Sequence, residues 1–255
     1  MDGKVFPGEG FVGVLGGVGP AATALFMDLL VRATDSDTDQ GHINALVTQH
    51  AGVPDRTAHI LNPAGSADPG PVLAADARFL EQAGAEFLVL PCNTAHHYSE
   101  AIESGVGIEL VSIVAATAEA AREAAGPGGK VAIFATEGNI NAGVYQDALD
   151  SLGVGHLVPD AATQAAVNEL IYDQVKAGRP VDNELFLSAL RTVSGQGADA
   201  VILGCTELSV IYDREGYRAE NLARAARGLP FLVDSLSALV RATVARAGKP
   251  LRPGF

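Results

Sequence analysis

The chain has no tryptophan, and only two cysteines and two methionines among its 255 residues. Aromatic residues contribute 5%, so aliphatic side chains must supply the core. Two cysteines without a Cys-x-x-Cys pair argue against a disulfide framework or a cysteine-rich zinc site, and a reducing cytoplasm is the compartment that fits. Positive charge is scarce as well: 17 lysines and arginines face 30 aspartates and glutamates, a net charge of −13. Such a surface repels nucleic acid and anionic membrane. It also repels a small anionic substrate at long range, which would then need cations placed locally. No apolar run approaches the ~18 residues of a membrane-spanning helix. Met1-Asp2-Gly3-Lys4 has no basic stretch leading into an apolar one, so a secretory signal is not expected. What the chain has in quantity is hydrophobic residues, 48% against 18% charged. That composition suits one large or two ordinary folded domains rather than a disordered polymer.

Residues 1–10 read as a loose start. Phe11-Val12-Gly13-Val14-Leu15 reads as a buried strand, followed by Gly16-Gly17-Val18-Gly19-Pro20 and a helix to Leu30. Proline suits the first helical position, and the glycines let backbone N–H groups approach a carboxylate or phosphate. The spacing does not match a dinucleotide fingerprint, so no nicotinamide or flavin cofactor is expected. A second strand is expected over Ile43–Thr48, with Gln49 at its end and Pro54-Asp55-Arg56-Thr57 beyond. Ligands of open α/β sheets sit at that end, which makes Arg56 a candidate anchor. Residues 62–71 form a turn-rich loop in the position of a lid. A helix over Val72–Gly84 and a strand over Phe87–Leu90 follow, then a strand or crossover over Glu109–Val114 and a helix to Ala125. The pattern restarts at Lys130, with strand, loop and helix, then long helices over about Thr163–Lys176 and Asp182–Ser194, and a strand at Ala200–Leu203. Tyr212–Leu229 reads as a charged connection, Phe231–Val233 as a last strand, and Asp234–Ala247 as a closing helix. Alternation of this kind predicts an α/β fold: two pseudo-symmetric domains, each a mainly parallel sheet flanked by helices, with the active site in the interdomain cleft. The expected boundaries are 1–113 plus 231–255 for the first domain and 114–230 for the second.

The two cysteines stand in matching places. Leu88-Val89-Leu90-Pro91-Cys92-Asn93-Thr94 and Val201-Ile202-Leu203-Gly204-Cys205-Thr206 each run from an apolar strand through one small or turn-forming residue to Cys and a nearby Thr. A cysteine at a helix start feels the positive end of the helix, which favours the thiolate. The bland alternative is a small buried hydrophobe. Inverting a stereocentre by proton transfer requires a base on one face and an acid on the other, and a thiolate and a thiol from two related loops supply both. Backbone N–H groups near Gly17, Asn93 and Thr94, with the Thr136 and Thr206 hydroxyls, are candidates to hold an α-carboxylate. Glu207 is a candidate partner for an α-ammonium.

Gly16-Gly17-Val18-Gly19-Pro20-Ala21-Ala22-Thr23, Pro54-Asp55-Arg56-Thr57-Ala58, Pro91-Cys92-Asn93-Thr94-Ala95-His96 and Gly204-Cys205-Thr206-Glu207-Leu208 resemble the motif set of the aspartate/glutamate racemases, which need no pyridoxal phosphate. The resemblance covers nearly the whole chain. It implies two α/β domains, Cys92 and Cys205 as the acid/base pair, no cofactor or metal, a small anionic amino-acid substrate and a homodimer. It also implies Arg56 and Lys176 as anchors for a distal carboxylate, with Gly17, Gln49, Asn93, Thr94, Thr136, Thr206 and Glu207 around the substrate. His96 is expected to support the Cys92 loop through a hydrogen bond. Val18, Gln49-His50, Asn139 and the 65–71 stretch depart from the pattern and bear on which amino acid is preferred. Rival readings are a broad-specificity amino-acid or hydantoin racemase, a maleate-isomerase-like enzyme, or a non-catalytic binding protein on the same scaffold. An arylmalonate decarboxylase is disfavoured, because it keeps a single catalytic cysteine.

Overall fold

The computed structural model describes residues 10–225 and 229–255. Residues 1–9, most of the expected loose start, and 226–228 of the expected charged connection lie outside them. The chain divides into two units, one formed by residues up to Ile113 together with Leu239–Phe255, the other by Val114–Ala238.

The first unit holds β1 (Phe11–Gly16), β2 (Ala45–Gln49), β3 (Ala85–Val89) and β4 (Leu110–Val111). Its helices are α1 (Pro20–Ala33), α2 (Arg56–Leu61), α3 (Gly70–Ala83) and α4 (Ser99–Glu103), with a 3-10 segment at Thr94–Tyr98. All strand pairs are parallel and the order is β2-β1-β3-β4. Every residue of β1 is buried, as its unbroken apolar run requires of a central parallel strand covered on both faces. Phe11, Leu15, Leu73, Leu80, Leu88 and Ile102 form part of its core.

The second unit holds β5 (Lys130–Phe134), β6 (Gly155–Leu157), β7 (Ala200–Leu203) and β8 (Phe231–Asp234), again all parallel, in the order β6-β5-β7-β8. Its helices are α5 (Ile113–Ala125), α6 (Glu137–Asn141), α7 (Val144–Ser151), α8 (Ala161–Asn168), α9 (Asn183–Gly195), α10 (Thr206–Arg214) and α11 (Tyr217–Ala225), while α12 (Ser235–Arg246) starts in this unit and ends in the first. Phe134, Leu170, Phe186, Leu190, Leu203 and Leu208 build its core. The two sheets have the same topology: a first strand flanked by the second and third, and the fourth outside the third. Cys92 follows the third strand of one sheet and Cys205 the third strand of the other.

Several expectations need correction. The last strand was expected in the first domain, but Phe231–Asp234 pairs with Ala200–Leu203 in the second sheet, and the division falls within α12, at Ala238/Leu239. Pairing to the buried β7 ladder satisfies the β8 backbone, and sequence order alone does not reveal that choice of neighbour. The three-residue edge strand Gly155–Leu157 escaped prediction, since Gly-His-Leu is too short to show a period. The expected single helix over Thr163–Lys176 is α8 followed by a π-helical stretch, Glu169–Lys176. The expected charged connection after Tyr212 is helical over Tyr217–Ala225. The turn-rich loop ends sooner than expected, because α3 begins at Gly70 with Pro71 in its first turn. Asp234 caps α12, accepting the Ser237 backbone N–H at 2.9 Å.

Candidate active site

In the first unit the candidate residues gather at the carboxyl ends of β1, β2 and β3, the end at which open α/β sheets bind ligands. Gly17 has φ +84°, and a side chain there would bring its Cβ within 2.4 Å of the His50 nitrogen. Only glycine meets both demands. The Gly17 N–H, expected to face a carboxylate, is donated to Thr23 Oγ1 at 3.0 Å. Gln49 ends β2 and is exposed. Arg56 opens α2 behind the cap Asp55, whose carboxylate accepts the Ala58 N–H at 2.8 Å. The arginine curls back, donating to the carbonyls of Val53 (3.4 Å) and Pro54 (3.1 Å). Asp76 pairs with His50 at 2.9 Å.

Cys92 is 7% exposed and lies beside Asn93 and Thr94, both buried. The expected helix at this point is a short 3-10 segment, and Asn93 rather than Cys92 precedes it, so the helix-end argument for a thiolate is weak here. His96 does support the loop. Its Nδ1 lies 2.8 Å from the Cys92 carbonyl, and its Nε2 accepts the Ile113 N–H at 3.3 Å. An acceptor at Nε2 and a donor at Nδ1 define one neutral tautomer. Burial lowers the imidazole to about 4, partly offset by the bond to Cys92. His97 faces Tyr98 edge to face.

In the second unit Cys205 follows β7 and is 6% exposed. Its thiol donates to Glu207 Oε2 at 2.9 Å, and the Thr206 hydroxyl approaches the same oxygen at 3.5 Å. Lys176 Nζ stands 3.9 Å from Glu207 Oε1 and 4.6 Å from the centre of the Tyr172 ring. Burial, then the charge of Glu207, push the Cys205 thiol well above its ordinary range, and Lys176 offsets part of this. The start of α10 does not overcome those two effects. Thr136 caps α6 by accepting the Asn139 N–H at 3.2 Å.

Two buried polar groups near these residues were not among the expected site residues. Tyr145 is fully buried, and a side chain on Gly204 would bring its Cβ within 2.7 Å of the Tyr145 ring. The residue before Cys205 is therefore glycine because the ring fills the space. The Tyr145 hydroxyl is hydrogen-bonded to the Thr117 and Ser235 side chains, and burial pushes it up. Nothing in the local sequence of Tyr145 signals this role. The amide of Asn139, noted from sequence only as a departure, is fully buried with neither polar atom hydrogen-bonded among the described residues. Among those residues no group of three or more His, Cys, Asp or Glu side chains is disposed to hold a metal, and no helix is long and apolar enough to cross a membrane.

Twin parallel sheets, each with a buried cysteine just past its third strand and a buried threonine within two positions of it, define an α/β protein of duplicated architecture with a thiol in each half. Residues 15–243 match the family model for Asp/Glu/hydantoin racemases, and the chain belongs to that family. It is 28% identical over 208 residues to a broad-specificity amino-acid racemase of Bacillus subtilis, covering 79% of this chain and 87% of the relative. It is 32% identical over 137 residues to a glutamate racemase of Koribacter versatilis, covering 52% of this chain and 45% of that protein. The structure of the Picrophilus torridus aspartate racemase superposes with a TM-score of 0.76 at 25% identity, covering 96% of each chain.

Proposed function

We propose that this protein is a pyridoxal-phosphate-independent racemase that interconverts the L and D forms of an acidic amino acid, aspartate or glutamate. Cys92 and Cys205 transfer the protons on opposite faces of the α-carbon. The observation that carries the reading is the equivalence of the two sulfurs: each follows the third strand of a 2-1-3-4 sheet, is nearly buried, and adjoins a buried polar residue. The family and its amino-acid racemases support the same activity.

The α-hydrogen of an amino acid is far less acidic than a thiol, so the site must stabilise the carbanion with fixed dipoles in the absence of water. Asn93, Thr94, Thr136 and Thr206 are the groups proposed to hold the α-carboxylate, with Gly17 and Gln49 lining the approach. Arg56 and Lys176 are proposed to take the distal carboxylate, the local cations that a −13 chain needs for an acidic ligand. Arg56 donates to the backbone carbonyls of Val53 and Pro54, and Lys176 Nζ lies 3.9 Å from Glu207 Oε1. The homodimer implied by the resemblance belongs to the same proposal. A second reading, broad specificity, is favoured by the Bacillus subtilis relative.

Incubation of single L-amino acids in D2O with wild type, Cys92→Ser and Cys205→Ser tests both. The expected result is α-deuteration and loss of optical rotation with aspartate or glutamate, and no racemisation by either variant. Full racemisation by one variant rejects the paired mechanism. Equal turnover of neutral and acidic amino acids selects the broad-specificity reading.

A further inference from the structure

Both cysteines are nearly buried, and to almost the same degree, so exposure does not distinguish them. Their polar surroundings do. Cys205 donates to a carboxylate at 2.9 Å, while no carboxylate is hydrogen-bonded to the Cys92 sulfur among the described residues. A carboxylate at that distance accepts from S–H and repels S⁻, and in a site sheltered from water the repulsion is poorly screened.

We propose that Glu207 is a positioning residue that keeps Cys205 protonated in the unliganded enzyme, so that the two thiols enter the reaction unequally, Cys205 as acid and Cys92 as base. This rests on the racemase reading and changes the part expected of Glu207 from the sequence: it holds a proton on sulfur rather than pairing with the substrate ammonium. Both of its oxygens are already engaged, Oε2 by Cys205 and Thr206, Oε1 by Lys176.

The proton balance follows. The Cys92 thiolate takes the α-hydrogen as a proton, and the C–H electron pair stays on the α-carbon, delocalised into the carboxylate. The S–H bond of Cys205 then breaks and its proton is delivered to the opposite face. Cys92 is left as a thiol and Cys205 as a thiolate facing Glu207. Release of the Cys92 proton to water and uptake of one at Cys205 restores the starting form. The enantiomer whose α-hydrogen faces Cys92 meets the resting enzyme directly, whereas the other requires the less stable, swapped form.

The charged and titratable groups facing Cys205 are Glu207 on α10, Lys176 on the π-helical stretch and Tyr145 on α7. The test is alkylation of the free, full-length enzyme by iodoacetamide, with each cysteine followed by peptide mass spectrometry across a pH series. At about pH 7.5 Cys92 should react at least roughly ten-fold faster than Cys205, since only the thiolate is nucleophilic. In Glu207→Gln the pH profile of Cys205 should move down while that of Cys92 stays in place, a result that a merely structural role would not produce. Equal labelling of the two cysteines in wild type overturns the proposal, as does an unmoved Cys205 profile in a folded Glu207→Gln protein. The wild-type comparison decides even if that variant fails to fold. Failure of the racemase reading shows separately, as absence of α-deuteration in D2O whatever the alkylation pattern.

Discussion

His96 shows how one side chain can tie the Cys92 loop to its frame. It donates to the Cys92 carbonyl and accepts the Ile113 N–H, so protonation would remove its acceptor and place a charge in a buried site. Its pKa falls from 6.5 to about 4 on folding. Between those values the unfolded chain binds the proton and the native protein does not, so stability rises with pH. The contribution is fully present above 6.5 and lost as pH falls toward 4, amounting to about 3 kcal/mol at most. Urea denaturation across that range should show the slope in wild type and lose it in His96→Gln, in which no ring titrates. His96→Ala should also cost about 1–3 kcal/mol at neutral pH, because two buried backbone groups lose their partner. The sequence suggested the hydrogen bond from His96 to its loop. It could not reveal the second bond, to the Ile113 N–H at the start of α5, 17 positions along the chain.

Among the elements, the loop between β1 and α1 and the π-helical stretch each place a candidate residue by backbone geometry. Gly17 stands at positive φ with its Cα against the His50–Ala51 backbone. Gly17→Ala should therefore destabilise the first unit by about 2–4 kcal/mol, from left-handed strain and the clash together, read as a lowered midpoint in thermal denaturation. A shift below about 0.5 kcal/mol would mean that the loop relaxes freely. The glycine-rich loop and its proline were readable in the sequence, because those residues have few uses other than a turn and a helix start. The π-helix was not, because its residues fit an α-helical pattern equally well. Only packing decides that Lys176 emerges next to Glu207 from the far end of that stretch. Such stretches recur at functional sites.

Over the whole molecule the net charge of −13 opposes the approach of an anion, while Arg56 and Lys176 are proposed to attract it at short range. Salt screens the long-range term more strongly. Raising ionic strength from about 0.01 M to about 0.15 M should therefore increase kcat/KM for an acidic substrate, on the order of two-fold, and leave a neutral one unchanged. A fall would show that the local cations dominate the approach. Alternating apolar strands and helices determined the α/β class and two parallel sheets, because strand and helix periods are written locally. The motifs around Cys92 and Cys205 determined the family, since each needs only a few adjacent residues. Tertiary structure decided what depends on neighbours remote in sequence: that Phe231–Asp234 joins the second sheet, that Tyr145 fills the space beside Gly204, and that an ammonium joins the carboxylate beside Cys205. The physical reason is that strand pairing and the protonation of a buried thiol are set by whatever lies across a few ångströms of space, and the chain reaches that place only by folding.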